Sequence, residues 1–173
     1  MGSEDRSVGQ PFTPEHVDVI VHDRANVAAI YGPLLAQVRR GDITTEVIER
    51  IEQVSRFAFV RRTGPVGLIA IMEEGATIPS GQVRERQRVA FETLLKSPRS
   101  PFVAYVIVGG GVGATLLRSV LRIYLRGMPR VHCADDVESA ARWVAAQVER
   151  PATDILAFVE YARALARGDV AAP

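Results

Sequence analysis

The sequence predicts a single-domain α/β protein with a mixed sheet of five or six strands and four to five helices. Two segments, residues 66–72 and 102–108, are apolar on both faces, which is typical of central strands covered by helices on each side. From residue 41 onward strands alternate with helical patterns, and this alternation indicates parallel pairing through right-handed crossovers. The strands before residue 41 are close enough in sequence to form antiparallel hairpins, so the sheet is expected to be mixed.

Three short strands are predicted before residue 41. Residues 17–22 and 27–31 are rich in β-branched and other apolar residues, and the turn-forming sequence DRAN lies between them. After a Gly-Pro pair, residues 34–41 alternate, with Gln37 and Arg39 on the side opposite their aliphatic neighbours. These strands form the antiparallel part of the predicted sheet.

Five later segments carry apolar residues at helical spacing, and most of them begin at a residue that can cap a helix. A short strand at residues 130–133 precedes the fourth of them. The predicted helices span residues 44–59, 80–96, 114–126, 137–148 and 153–167.

Domain boundaries follow from the same patterns. Residues 1–14 contain acidic residues and no apolar run, so they are predicted to be a disordered tail. Residues 15–150 form the α/β domain, and residues 151–173 form a C-terminal helical extension. We expect the extension to pack on the core of its own chain in preference to another subunit.

Composition excludes several classes of function. The formal net charge of +1 gives no general attraction to nucleic acid, and no stretch approaches the roughly 18 apolar residues of a membrane span. Cys133 is the single cysteine, so there is neither an internal disulfide nor a multi-cysteine metal site. This usage fits a reducing compartment, and a cytoplasmic location is expected. No cofactor is implied.

Several local phrases resemble the STAS domain of bacterial anti-sigma-factor antagonists and the related CRAL-TRIO-like lipid-binding domains. These phrases are RRGDITTEV, GLIAIM, IPSG, AYVIVGGG and RVHCADDVESAARWV, and the resemblance covers roughly residues 16–149. It implies a non-enzymatic bacterial regulatory module that binds another protein. Such modules are often controlled by serine phosphorylation at the start of the second helix.

The matching helix start departs from that family pattern. Antagonists of the sporulation type carry Asp-Ser-Ser-Gly there, whereas this chain has Ile78-Pro79-Ser80-Gly81. Ser80 falls on the second serine and is the candidate phosphoacceptor, favoured by the helix dipole. The alternative interpretation is that Ser80 only caps the helix.

A glycine-rich turn joins the strand at 102–108 to the next helix. Its glycines are Gly109, Gly110, Gly111 and Gly113, which together with Ala114 satisfy G-x-G-x-x-A. Such glycines let backbone amides approach a pyrophosphate at a helix N-terminus, which suggests a nucleotide site. The alternatives are a tight strand-to-helix turn or a loop that faces a partner.

Three arginines recur every four residues along the helix at 114–126. They are predicted to form one exposed stripe, with Leu116, Val120 and Leu121 on the opposite, inward side. The stripe is a candidate contact for an acidic protein partner, or simply a solvated face; nucleic acid is not expected, because few aromatic residues interleave with it. The arginines are Arg118, Arg122 and Arg126.

The remaining chemistry-bearing residues are weaker candidates. Glu73 and Glu74 follow a central strand and are a conceivable acid–base pair, although such residues more often border a loop. Trp143 lies between small apolar residues of the fourth helix and is expected to serve packing. The three histidines are too scattered for a metal site.

The sequence is therefore compatible with three functions. The first is a protein-interaction module that uses the loops near Ser80 and the glycine turn, with another protein or a second copy of the chain as partner. The second is a carrier for a small ligand or lipid, with a cavity of several hundred Å³ around Phe91, Phe102 and Tyr105. The third is an enzyme that binds a nucleotide at the glycine turn.

Overall fold

A six-stranded mixed sheet runs through the middle of the protein, with the strands in sequence order from one edge to the other. The computed structural model describes residues 11–97 and 99–173. The strands are β1 (Asp18–His22), β2 (Asn26–Tyr31), β3 (Leu34–Arg39), β4 (Gly67–Met72), β5 (Phe102–Ile107) and β6 (Val131–Ala134).

The pairing confirms the predicted mixed sheet. β1, β2 and β3 pair antiparallel, with an irregularity in β1 between Val19 and Val21. From β3 to β6 every pair is parallel. Residues of β2 to β5 are almost all buried, as the continuous apolar segments predicted.

Five α-helices lie within the described residues, and side-chain caps start two of them. Thr44 accepts a hydrogen bond from Val47 N at 3.4 Å, and Asp136 accepts one from Ser139 N at 2.7 Å. A single 3₁₀ turn (Pro14–His16) precedes the sheet. The helices are α1 (Thr45–Val60), α2 (Gly81–Lys96), α3 (Gly111–Leu125), α4 (Val137–Val148) and α5 (Ala152–Arg167).

The helices form two layers, one on each face of the sheet. Consecutive parallel strands joined by right-handed crossovers place α1, α2 and α3 on one face. On the other face α4 packs on β4, β5 and β6, and α5 packs on β2 and β3. The result is a three-layer α/β domain.

The two helical layers cover the sheet unequally. Residues of α4 and α5, among them Ala140, Val144, Ile155 and Phe158, are almost completely buried against the sheet. α2 on the opposite face has no fully buried residue. Consequently the layer of α1, α2 and α3 leaves both space beneath it and apolar surface outside it.

Both ends of the described chain take part in the core. Phe12 packs edge-on against Tyr31, with ring centroids 5.1 Å apart, and its ring centroid lies 5.8 Å from that of Tyr161 on α5. Arg40 Nη1 donates to Ala166 O at 2.7 Å and ties α5 to the end of β3. Residues 152–167 thus pack on the core of their own domain, whereas residues 1–10 of the predicted tail lie outside the described residues.

Gly67, at the start of β4, allows α4 to approach the sheet closely. A Cβ atom there would lie 2.5 Å from Val144 Cγ1 and 3.2 Å from Leu34 Cδ2. We predict that Gly67→Ala destabilises the protein by about 1–3 kcal/mol, because a packed core resists an added methyl group. Urea unfolding measures the change. Gly64→Ala is the matched control, since nothing lies within 4 Å of its Cβ position; equal effects of the two substitutions would contradict this account.

Candidate functional site

The loops that carry the predicted site residues lie at one edge of the sheet, where the parallel strands β3 to β6 end. Ser80 belongs to the connection after β4, and the glycine turn follows β5, which is the neighbouring strand. In open α/β sheets ligands bind outside the carboxyl ends of the strands. A ligand site is therefore expected at this carboxyl edge.

Backbone conformation explains two of the four glycines in the turn. Gly109 and Gly111 adopt φ values of +106° and +90°, in the region that favours glycine, and Gly110 is the N-cap of α3. Nothing lies within 4 Å of a Cβ position at Gly110 or Gly113. The turn is open to its surroundings, and the side chain of Glu74 lies beside Gly109.

Arg118 is turned inward and holds the glycine turn. Its Nε and Nη2 donate to Ile107 O at 3.1 and 2.7 Å, and Nη2 also donates to Gly109 O at 2.5 Å. Charged donors to carbonyl oxygens at a strand end make stronger hydrogen bonds than neutral ones. Arg118 therefore stabilises the β5–α3 connection, and the prediction that it belongs to an exposed stripe is wrong.

Arg122 and Arg126 have different surroundings from Arg118. Arg122 pairs with Asp135, and the hydrogen bond to that carboxylate raises the pKa of the arginine. Burial raises the pKa of the nearby Cys133 thiol, which keeps it protonated near neutral pH. Arg126 is exposed at the end of α3. Because Arg118 and Arg122 already bind acceptors of the protein itself, this geometry favours a structural turn over a pyrophosphate site.

The outward face of α3 is aliphatic. Four large side chains at spacings of four, four and three residues are more than half exposed: Val112 at 86%, Leu116 at 63%, Val120 at 54% and Ile123 at 75%. We call these four residues the α3 outer face. Leu117, Leu121 and Leu125 occupy the inner side. The prediction that Leu116 and Val120 point inward is wrong, because α3 carries two apolar stripes and the other one contacts the sheet.

Ser80 begins α2, as the sequence predicted. It adopts the extended conformation of an N-cap residue, but its side chain makes no capping hydrogen bond. The residue is exposed, and Gly81 after it has a φ of +55°. Its hydroxyl group is thus accessible, and phosphorylation at this position stays a prediction.

A cavity of about 110 Å³ lies between the sheet and helices α1 and α2. Phe91 and Tyr105 line it, as the carrier hypothesis predicted, but Phe102 does not. Phe102 instead packs edge-on against Trp143, with ring centroids 6.2 Å apart. The cavity is smaller than the several hundred Å³ of a lipid or drug-sized ligand site. Sequence reasoning did not identify Gln37 and Arg39 as part of its wall.

Glu73 serves an ion pair between the sheet and α5. Arg163 Nε donates to Glu73 at 2.5 Å, its Nη1 donates to Glu160 at 2.8 Å, and the Glu73 and Arg163 side chains are both largely buried. The hydrogen bond to Glu73 raises the pKa of Arg163. Glu73 therefore helps to fasten α5 to the carboxyl edge, which favours the structural interpretation of this residue.

Other candidates from the sequence are structural. Trp143 stacks on His132 with ring centroids 5.1 Å apart and an interplanar angle of 18°, so its predicted packing role is confirmed. Within residues 11–97 and 99–173 no three histidine, cysteine, aspartate or glutamate residues are grouped so that they could hold a metal ion. In the same ranges no helix has the length and apolar character needed to cross a bilayer.

Comparison with known proteins gives no family. No protein-family model matches the chain, and no curated protein matches it significantly. Function is therefore argued from the geometry of the domain.

Truncating Arg118 should loosen the β5–α3 connection. We predict that Arg118→Ala lowers the free energy of unfolding by about 1–3 kcal/mol, because two carbonyl groups lose a charged donor. Arg126→Ala, on the exposed end of the same helix, should change it by less than about 0.5 kcal/mol. Guanidinium unfolding of both variants measures the two free energies. An unchanged free energy of unfolding in Arg118→Ala would contradict the conclusion that Arg118 stabilises the β5–α3 connection.

Proposed function

We propose that the chain is a protein-interaction module and that its partner covers the α3 outer face. The observation that carries the proposal is the exposure of four aliphatic side chains along one face of a helix whose other face is also apolar. A second apolar face on a helix normally indicates that this face is covered as well. A contiguous apolar patch on a protein surface commonly marks a binding site.

The energetics of such a patch favour a protein partner. Complete burial of one valine, leucine or isoleucine side chain contributes up to about 1.5–3 kcal/mol. Burial of four of them on one helix face would contribute part of the free energy of a complex, whose remaining contacts must also offset the entropy of association. The patch is rigid, because Arg118 and the inner leucines fix α3 against β5 and β6.

The surroundings of the patch suggest what the partner looks like. Thr115 and Ser119 lie beside it, and their hydroxyl groups donate to the backbone of their own helix at 3.0 and 2.9 Å. Arg126 is exposed near its C-terminal end, and the neighbouring Arg122 is paired with Asp135. We therefore propose a partner with an apolar helix or groove whose rim is acidic, since complementary charge steers association.

The STAS-like resemblance is part of this proposal. It supports a bacterial, cytoplasmic regulatory role, with Ser80 as a phosphoacceptor at the same edge of the sheet. A phosphate at the N-terminus of α2 would be stabilised by the helix dipole. The interaction itself does not require this modification.

A double variant tests the α3 outer face. A partner is first identified by affinity purification from the native cell, and its affinity for the purified chain is then measured by calorimetry. We expect Leu116→Glu with Ile123→Glu to weaken binding by about a hundredfold or more, because a buried carboxylate opposes an apolar contact. Val60→Glu on α1, where the side chain is 62% exposed, is the matched control and should change affinity by no more than about twofold.

Light scattering of the purified chain distinguishes a second copy from a different partner. A dimer that the double variant converts to a monomer would make the second copy the occupant of the patch. Unchanged affinity in the double variant, or a loss with Val60→Glu equal to that of the double variant, would remove α3 as the contact surface.

A further inference from the structure

The cavity beneath α1 and α2 has polar as well as apolar groups in its wall. In the sheet register Gln37 of β3 and Tyr105 of β5 are both direct neighbours of Ala70 on β4. All three side chains line the cavity, together with Ile51 of α1 and Phe91 of α2. The sheet side of the cavity therefore presents a small residue between two polar ones.

Small residues from both layers line the cavity. Ala70 on the sheet and Ala90 on α2 both line it, and neither fills the space between the layers. No residue of α2 is fully buried, so this helix stands away from the sheet. The cavity is partly open to solvent, and its volume of about 110 Å³ is large enough to hold a small molecule.

Arg39 brings a buried positive charge to this cavity. The residue is 5% exposed, and its Nη2 donates to Thr77 O at 2.6 Å. Its Nε is buried and has no acceptor among the described residues. Burial lowers the pKa of Arg39, while the charge of Asp42 opposes that shift, yet an arginine side chain stays protonated in proteins. A buried cation of this kind requires a further acceptor.

The other charged group in the wall already has a partner. Glu52 of α1 accepts a hydrogen bond from Arg86 Nη2 at 2.5 Å and lies 4.0 Å from Arg56. Asp42, the carboxylate that acts on Arg39 from outside the cavity, is exposed and accepts a hydrogen bond from Thr77. The charged group of the cavity wall that still lacks an acceptor among the described residues is therefore the Arg39 guanidinium, and an anion would supply one.

We propose that this cavity binds a short aliphatic monocarboxylate, with the carboxylate toward Arg39 and the alkyl group against Ile51, Ala70 and Phe91. A void of about 150 Å³ accommodates benzene, so 110 Å³ corresponds to a ligand of about four or five heavy atoms. Propionate has that size. Its carboxylate supplies the acceptor that the guanidinium lacks, and its alkyl group matches the apolar wall.

Nuclear magnetic resonance on the full chain tests the site with matched probes. Propionate, its neutral isostere propionamide and inorganic phosphate are titrated separately at constant ionic strength. We expect propionate to shift the backbone amides of Ala70 and Phe91 saturably, and propionamide to bind at least about tenfold more weakly. Ala70→Leu should abolish the propionate shifts by filling the cavity, and Ala90→Leu fills it from the helix side if the first variant does not fold.

Arg84→Gln is the matched surface control, because this arginine is exposed on α2 outside the cavity wall and should leave propionate affinity unchanged. Three results would overturn the site: equal affinity for propionamide, equal affinity for phosphate, or propionate shifts that persist in the folded cavity-filling variant. Absence of any shift up to roughly 100 mM propionate would overturn it as well. The double variant of the α3 outer face should bind propionate normally, so the two proposals fail independently.

Discussion

The parallel pairing of β3 to β6 is the constraint on which the rest of the protein depends. Such strands use their backbone groups in the sheet, and the central strands β4 and β5 are largely apolar on both faces, so helices must exclude water from each side. α4 and α5 do this completely on one face. α1, α2 and α3 do it incompletely on the other, and both functional proposals arise from that incomplete cover.

Arginine side chains hold the elements of this domain together at the carboxyl edge. Arg40 and Arg163 connect the sheet to α5, and Arg118 connects α3 to the end of β5. Each of them reaches a carbonyl or carboxylate acceptor with a long side chain, and the planar heads of Arg118 and Arg163 make more than one hydrogen bond. In α/β domains the loops at this edge commonly bind ligands. Here contacts within the protein occupy several groups there, so the cavity and α3 are the better candidate sites.

Sequence reasoning identified the fold because the patterns were long and unambiguous. The apolar segments at 66–72 and 102–108 correspond to β4 and β5, and the helix predicted at 44–59 corresponds to α1 within one residue at each end. The glycine turn follows β5 as predicted, but α3 begins at Gly111, before the predicted start at residue 114, so Gly111 and Gly113 belong to the helix. Periodicity identifies an element as a strand or a helix when its apolar residues recur at one clear spacing.

The candidate sites were harder to predict, for reasons that particular residues make clear. α3 has leucines at 117, 121 and 125 as well as its outer aliphatic residues, so periodicity alone does not say which stripe faces the sheet. Arg39 alternates with apolar residues as in a half-exposed strand, and its burial depends on helices that are distant in sequence. Ala70 and Ala90 line the same cavity, which only the packing of α2 on the sheet determines.

The contact between Arg40 and Ala166 has a further consequence for how this chain acquires its structure. It joins positions 126 residues apart, and α5 covers β2 and β3, which are made much earlier during synthesis. Closing so long a loop is entropically unfavourable until many contacts form together. The early strands therefore expose apolar surface on the ribosome until α5 emerges, which makes the nascent chain a natural client for molecular chaperones.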